Sequence, residues 1–191
     1  MNGSKPGACA PKDEITVRAA EERDVPACLR IYNYYILNTA VSFEEQPLTA
    51  EAFADRLRRI SASYPYLVAE RSGRVVGYAY LDRYGERSAY RFTADLSVYV
   101  DRDCLASGVG AALLERIEAL GRAQGLRSII SVITGSNARS LAFHRKHGFR
   151  QAGRIMDAGF KFGGWLDVEF WQKPLLPGNG GEDRPDREEV F

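Results

Sequence analysis

Cysteine is scarce in this chain: Cys9, Cys28 and Cys104 are the only three in 191 residues. No two stand at a metal-ligand spacing, and an odd number builds no complete disulfide framework. The expected setting is therefore reducing and cytoplasmic, without a metal site. An apolar run long enough to span a membrane is absent, as is a signal-peptide core near the N-terminus. Neither sign of charge is in excess: 26 Lys and Arg stand against 25 Asp and Glu, a net +1. That leaves no electrostatic case for binding nucleic acid or a membrane surface. Internal repeats are missing too. What remains, at 45% hydrophobic and 27% charged, is the composition of one globular domain with a sizeable core. Residues 1–13 are expected to be a loose tail. Residues 176–191, rich in Gly, Pro and charge, are expected to be disordered, which leaves residues 14–175 as the domain.

The most informative stretch runs from Thr93 to Arg122. Residues 95–100 alternate as a strand should, ending Val98-Tyr99-Val100. After a short polar link, Leu105-Ala106-Ser107-Gly108-Val109-Gly110 leads into a helix. There Val109, Leu113, Ile117 and Leu120 recur every three or four residues and predict a buried stripe. A glycine turn feeding a helix N-terminus is a potential anion site: several N–H groups lack helical partners, and the helix dipole favours negative charge. Gly108 and Gly110 are equally consistent with a plain turn. Two nucleotide motifs fail here. A P-loop needs Gly-Lys-Ser/Thr, which is absent. A dinucleotide fingerprint wants a small residue where Leu113 stands and an acid after the next strand, where the chain reads Thr134-Gly135-Ser136-Asn137. The pattern points to some other phosphate-bearing cofactor.

Taken in order, Ile15 to Ala19 reads as a strand, and Asp24 with Pro26 as the start of a helix carrying Leu29, Ile31, Tyr32 and Ile36. Asn38 to Leu48 is a loop in which Val41 and Phe43 either tuck under the fold or form a lid over an acceptor pocket. Thr49 caps a second helix with Phe53, Leu57 and Ile60 inward. Tyr66–Arg71 and Val75–Tyr84 form a hairpin across Ser72-Gly73-Arg74. A strand is predicted over residues 89–100. Ile129 to Ile133 reads as a strand covered on both faces. A helix over residues 137–147 follows, stopped by Gly148, and then an antiparallel pair around Gly163-Gly164. The order βααβββαβαββ implies an α/β (α+β) fold, a mixed sheet with helices on both faces.

Together, the strand, the Gly108-x-Gly110 turn, the next strand and the Asn137-led helix closing in Gly148-Phe149 resemble the GCN5-related N-acetyltransferase (GNAT) superfamily. The segments 63–70, Ala89-Tyr90 with Thr93-Ala94, Val98-Tyr99-Val100, and Gly159-Phe160-Lys161 with Trp165 and Phe170-Trp171-Gln172 resemble its phosphinothricin acetyltransferase branch, over about residues 15–175. The resemblance implies a mostly antiparallel GNAT sheet, acetyl-CoA as co-substrate, a small amino-acid-like amine as acceptor, and a homodimer. It places residues 105–110 at the pyrophosphate, Val98, Tyr99 and Val100 beside the pantetheine arm, and Asn137 near the cofactor. Asn137 also suits a plain N-cap. Asp95 stands where this branch has its catalytic glutamate and would be the base. His144 would protonate the leaving sulfur, while His147 reads as structural. Arg87, Tyr90, Phe43 and Lys161 would line the acceptor pocket. One departure is visible: Leu105 and Ala106 occupy positions where the family has Gln or Arg, removing a charge-assisted contact worth about 1.5–3 kcal/mol. Arg102 and Arg139 are candidates to replace it. Two other readings compete: acetylation of a protein or peptide amine, and a non-catalytic acyl-CoA-binding module.

Overall fold

In the computed structural model, residues 14–176 are described. Apart from Leu176, the two expected tails lie outside them. The chain runs β1 (Thr16–Ala19), α1 (Val25–Asn38), α2 (Ala50–Ser61), β2 (Tyr66–Arg71), β3 (Arg74–Arg83), β4 (Thr93–Val100), α3 (Val109–Ala123), β5 (Ser128–Thr134), α4 (Ala138–Lys146), β6 (Arg150–Lys161) and β7 (Gly164–Pro174). This is the element order expected from the sequence. The strands form one sheet in the order β1-β2-β3-β4-β5-β7-β6. All pairs are antiparallel except β4 with β5.

Alternation along the strands sorts side chains onto two faces. One carries Leu67, Ala69, Ala79, Leu81, Ala94, Leu96, Ile129 and Ile133, which pack against Val109, Leu113, Leu114 and Ile117 of α3, with Leu141 and Phe143 of α4 beside them. The opposite face carries Tyr66, Val68 and Tyr78 under α1 and α2, which bury Ile31, Tyr32, Ile36, Phe53, Leu57 and Ile60. Each large side chain buried this way contributes roughly 1.5–3 kcal/mol. Tyr78 stacks on Tyr66 and on Tyr99, at 5.8 and 5.1 Å between ring centroids, which ties β2, β3 and β4 together beneath the helices.

Several local expectations change. Asp24 does not cap α1. Its carboxylate accepts from Arg18 at 2.7 and 2.8 Å and from the Glu21 N–H at 2.8 Å, so no oxygen reaches the helix N–H groups. Thr49 does cap α2, accepting from the Ala52 N–H at 3.2 Å. The strand expected over 89–100 begins only at Thr93, because Ser88–Tyr90 forms a 3-10 turn. In β5, Val132 is exposed rather than covered: α1 and α2 lie over β2 to β4 and do not reach it, although Ile130 and Thr134 on the same face are buried. Leu120 of the α3 stripe is half-buried.

Candidate active site

β4 and β5 pair only over Thr93–Asp95 and Ser128–Ile130, then part. The cleft that opens is lined by Val41, Leu96 to Tyr99, Ser131 to Thr134, Asn137, Ser140 and His144. The main-chain N–H of Asp101 donates to the Val76 carbonyl at 2.8 Å, so alternate residues of β4 pair with β3. By the same alternation the main-chain groups of Val98 and Val100 turn to the cleft, a strand edge ready to receive an extended ligand. The Val100 carbonyl already accepts from the Tyr35 hydroxyl at 2.6 Å. The main chain of Tyr99 faces β3 instead, and its ring belongs to the tyrosine layer. It therefore differs from Val98 and Val100, with which the sequence reading grouped it.

At one end of the cleft α3 begins. Gly108 holds φ +89°, a left-handed conformation that a side chain rarely adopts. The first bond of the helix is made by Ala112 to the Gly108 carbonyl at 3.0 Å. The N–H groups of Val109, Gly110 and Ala111 precede it and are the helix's open donors. At Gly110 a Cβ would make only ordinary contact with the Phe143 ring, at 3.4 Å, so packing against α4 does not require glycine there. The Val109 side chain is buried in the core, leaving only its main chain for a ligand. Leu105 is half-buried, Ala106 is exposed at φ +60°, and the Ser107 hydroxyl donates to the Cys104 carbonyl at 2.6 Å. A strand edge facing an open helix N-terminus fits a pantetheine-pyrophosphate ligand. Of the cations considered for positions 105 and 106, Arg102 lies over the Tyr34 ring at 4.6 Å and Arg139 is exposed on α4. The sequence reading missed Arg71, which is buried and donates to the Ser107 carbonyl at 2.8 Å, bracing the turn from beneath.

Asp95 occupies the last residue pair before the strands separate. Its side chain points to the α1/α2 face, and Oδ1 is buried without a hydrogen-bond partner. Burial, then the charge of Asp82, pushes its carboxyl up to about 7. His144, on α4 across the sheet, is buried. Its Nδ1 lies 2.8 Å from the Ser140 carbonyl, which can only accept, so Nδ1 carries the hydrogen and Nε2 is left free. Burial lowers its pKa from the ordinary histidine value. Asn137 caps α4, with Oδ1 accepting from the Ser140 N–H at 3.1 Å. His147 closes the same helix beside the Phe143 ring, as expected of a structural residue.

The residues expected to bind the acceptor are not gathered in one place. Arg87 is exposed on the turn before β4, and Tyr90, also exposed, packs edge-on against Tyr84. Phe43 lies against Gly159 of β6, where a Cβ would collide with its ring. Lys161 is the clearest correction. It is buried, and its ammonium donates to the carbonyls of Ile36, Ser42 and Glu44 at 2.8, 2.6 and 2.8 Å. All three of its hydrogens are engaged, so it clamps the end of α1 and the loop after it and has no N–H left for an acceptor.

The family described as "Acetyltransferase (GNAT) domain" matches residues 17–170. A phosphinothricin N-acetyltransferase of Alcaligenes faecalis is 41% identical over 166 residues, 86% of this chain and 84% of that protein. An L-methionine sulfoximine/L-methionine sulfone acetyltransferase of Pseudomonas paraeruginosa is 37% identical, over 85% of this chain and 95% of the relative. Among solved structures, a phosphinothricin acetyltransferase of Sinorhizobium meliloti in complex with acetyl-CoA superposes with a TM-score of 0.84. It is 35% identical and covers 91% of this chain and 94% of its own. A match over most of the described residues, with relatives at this identity, means that the chain belongs to the GNAT acetyltransferase family, in its phosphinothricin acetyltransferase-like branch.

Proposed function

We propose that this protein acetylates the amine of a small amino-acid-like substrate of the phosphinothricin, methionine sulfoximine or methionine sulfone type, with acetyl-CoA as donor. The observation that carries the reading is the parted β4–β5 edge, with an open helix N-terminus at one end and a half-buried Asp95, its carboxyl poised near neutral pH, where it closes. When bound, acetyl-CoA supplies an acetyl group already activated as a thioester. The N–H groups of Val109, Gly110 and Ala111 hold the pyrophosphate, aided by the helix dipole. Val98 and Val100 fix the pantetheine arm by main-chain bonds.

Two protons must leave an ammonium acceptor. Asp95 takes the first, before attack, and a carboxyl poised near neutral pH suits that task. The second leaves as the new N–C bond forms. His144 is neutral at pH 7, so its Nε2 has to accept a proton before it can give one to the leaving sulfur. It thus serves as a relay rather than as a standing acid. Arg87, the exposed cation of the turn before β4, is proposed to meet the substrate's carboxylate, with Tyr90 of the same turn as an apolar wall.

A homodimer belongs to the same proposal. Beyond the reach of α1 and α2, Val132 and Ile155 are exposed, and Phe160, Phe162 and Trp165 of the β6–β7 hairpin add further apolar surface. A second copy would cover it. Use of acetyl-CoA fits a cytoplasmic setting, and balanced charge gives no reason to expect nucleic acid. No helix among the described residues is long and apolar enough to cross a membrane.

Thiol release from acetyl-CoA should be followed with L-phosphinothricin, L-methionine sulfone, L-methionine sulfoximine, unmodified amino acids and a peptide. Turnover with the first three supports the reading. Turnover with the peptide alone would replace it with a protein acetyltransferase. Calorimetric binding of acetyl-CoA without turnover on any amine would leave a binding module.

A further inference from the structure

Asp95 has a second carboxylate for a neighbour. In the β3–β4 ladder Asp82 is its direct partner. Directly opposed residues of an antiparallel pair share a face, with Cβ atoms about 5 Å apart. Tyr80 and Ser97 are the next pair along that face. Asp82 is held from above by α2: Arg59 donates to its two oxygens at 3.1 and 2.8 Å. The Arg83 N–H adds a third bond at 2.8 Å. Arg56, the other arginine of α2 on this side, bonds Glu44 of the α1–α2 loop at 2.6 Å. From β5, Ile130 faces Asp95 and carries no charge.

We propose that Asp82, restrained by Arg59, is a positioning residue for acetyl transfer: its negative charge, set directly opposite Asp95, makes Asp95 a stronger base than a lone strand carboxylate. This rests on the reading of Asp95 as the base. The physical case is that two carboxylates on one face repel when both are ionised, so Asp95 holds its proton more firmly. Arg59 limits the effect by partly neutralising Asp82, which keeps Asp95 able to lose that proton near neutral pH. Burial is the larger cause of the rise at Asp95 and Asp82 the second, so removing Asp82 reverses only part of it. No feature of the sequence marks Asp82 for this task. It follows from the strand register and from the place where α2 crosses β3.

The test is the pH profile of kcat/KM for thiol release, with L-methionine sulfone and saturating acetyl-CoA. The amine is the same in every variant, so its own ionisation cancels. Asp82→Asn is expected to move the acidic limb to lower pH by on the order of one pH unit or less. Arg59→Gln moves it upward, and Arg59→Lys restores the wild-type position. The double variant follows Asp82→Asn, because Arg59 acts only through Asp82. An unmoved limb in Asp82→Asn, with or without a fall in kcat, overturns the proposal. If Asp95→Asn has by then abolished the limb, the base assignment survives that failure. If Asp95→Asn keeps both the limb and kcat, the base assignment falls and takes this proposal with it.

Discussion

Replacing Asp95 by Asn should cost activity and raise stability, and both effects can be worked from the site. Asn keeps the size of the side chain but accepts no proton, so kcat should fall by about 10²–10⁴, the usual range for a general base. The loss should shrink as pH rises, because more of the amine then arrives already neutral. Stability follows from the rise of the Asp95 carboxyl from its ordinary 3.8 to about 7. At about 1.36 kcal/mol per pH unit, that rise caps the cost of ionising Asp95 in the fold near 4 kcal/mol. The group is only half-buried, so solvent screening brings the expected cost down to about 1–2 kcal/mol. Its folded value lies above its unfolded one. The cost is therefore absent below pH 3.8, grows as pH rises, and is complete above about pH 7. Asp95→Asn never ionises, so its stability advantage in urea denaturation should widen from about pH 4.5 to about pH 8 and then level off. Unchanged kcat together with a pH-independent stability difference would refute both the burial argument and the base assignment.

Gly108→Asp should abolish acetyl-CoA binding by calorimetry and also lower stability by about 1–3 kcal/mol, because φ +89° strains any side chain. It sets a negative charge where phosphates are expected, and its Cβ would meet only Ile15 Cδ1 at 3.6 Å. Lys161→Met strips a charged donor from three carbonyls and should destabilise the fold by about 2–3 kcal/mol in urea denaturation, with a raised acceptor KM as the α1–α2 loop loosens. An unchanged midpoint would mean that the clamp contributes nothing. His144→Phe should lower kcat by about 10²–10³ with the acetyl-CoA Kd retained, and that loss should not shrink as pH rises. Full kcat in this variant would leave positioning alone to explain turnover.

The order of elements was legible because it rests on short-range patterns. The α3 stripe, the Thr49 cap and the turn at Gly108 are each set by residues a few positions apart, whose periodicity and backbone preferences hold in almost any tertiary setting. Asp24 shows where such reasoning stops. A capping residue serves its helix only if nothing else claims its carboxylate, and Arg18 from β1 claims it. Lys161 shows the same in the site: the sequence places a cation near the acceptor side, yet three carbonyls from the end of α1 and the loop after it, over a hundred positions earlier, surround it.

What the sequence determined by itself was the family, the glycine turn, and the presence of Asp95 and His144 on elements flanking that turn. What only the tertiary structure decided was the charge and company of those groups. The parting of β4 from β5 after Asp95, the placing of Asp82 opposite it, the Arg59 bridge and the Arg71 brace under Ser107 all join residues far apart in the chain. Ionisation in a protein depends on burial and on charges a few ångströms away. Those distances exist only once the sheet has chosen its register and the helices have packed across it.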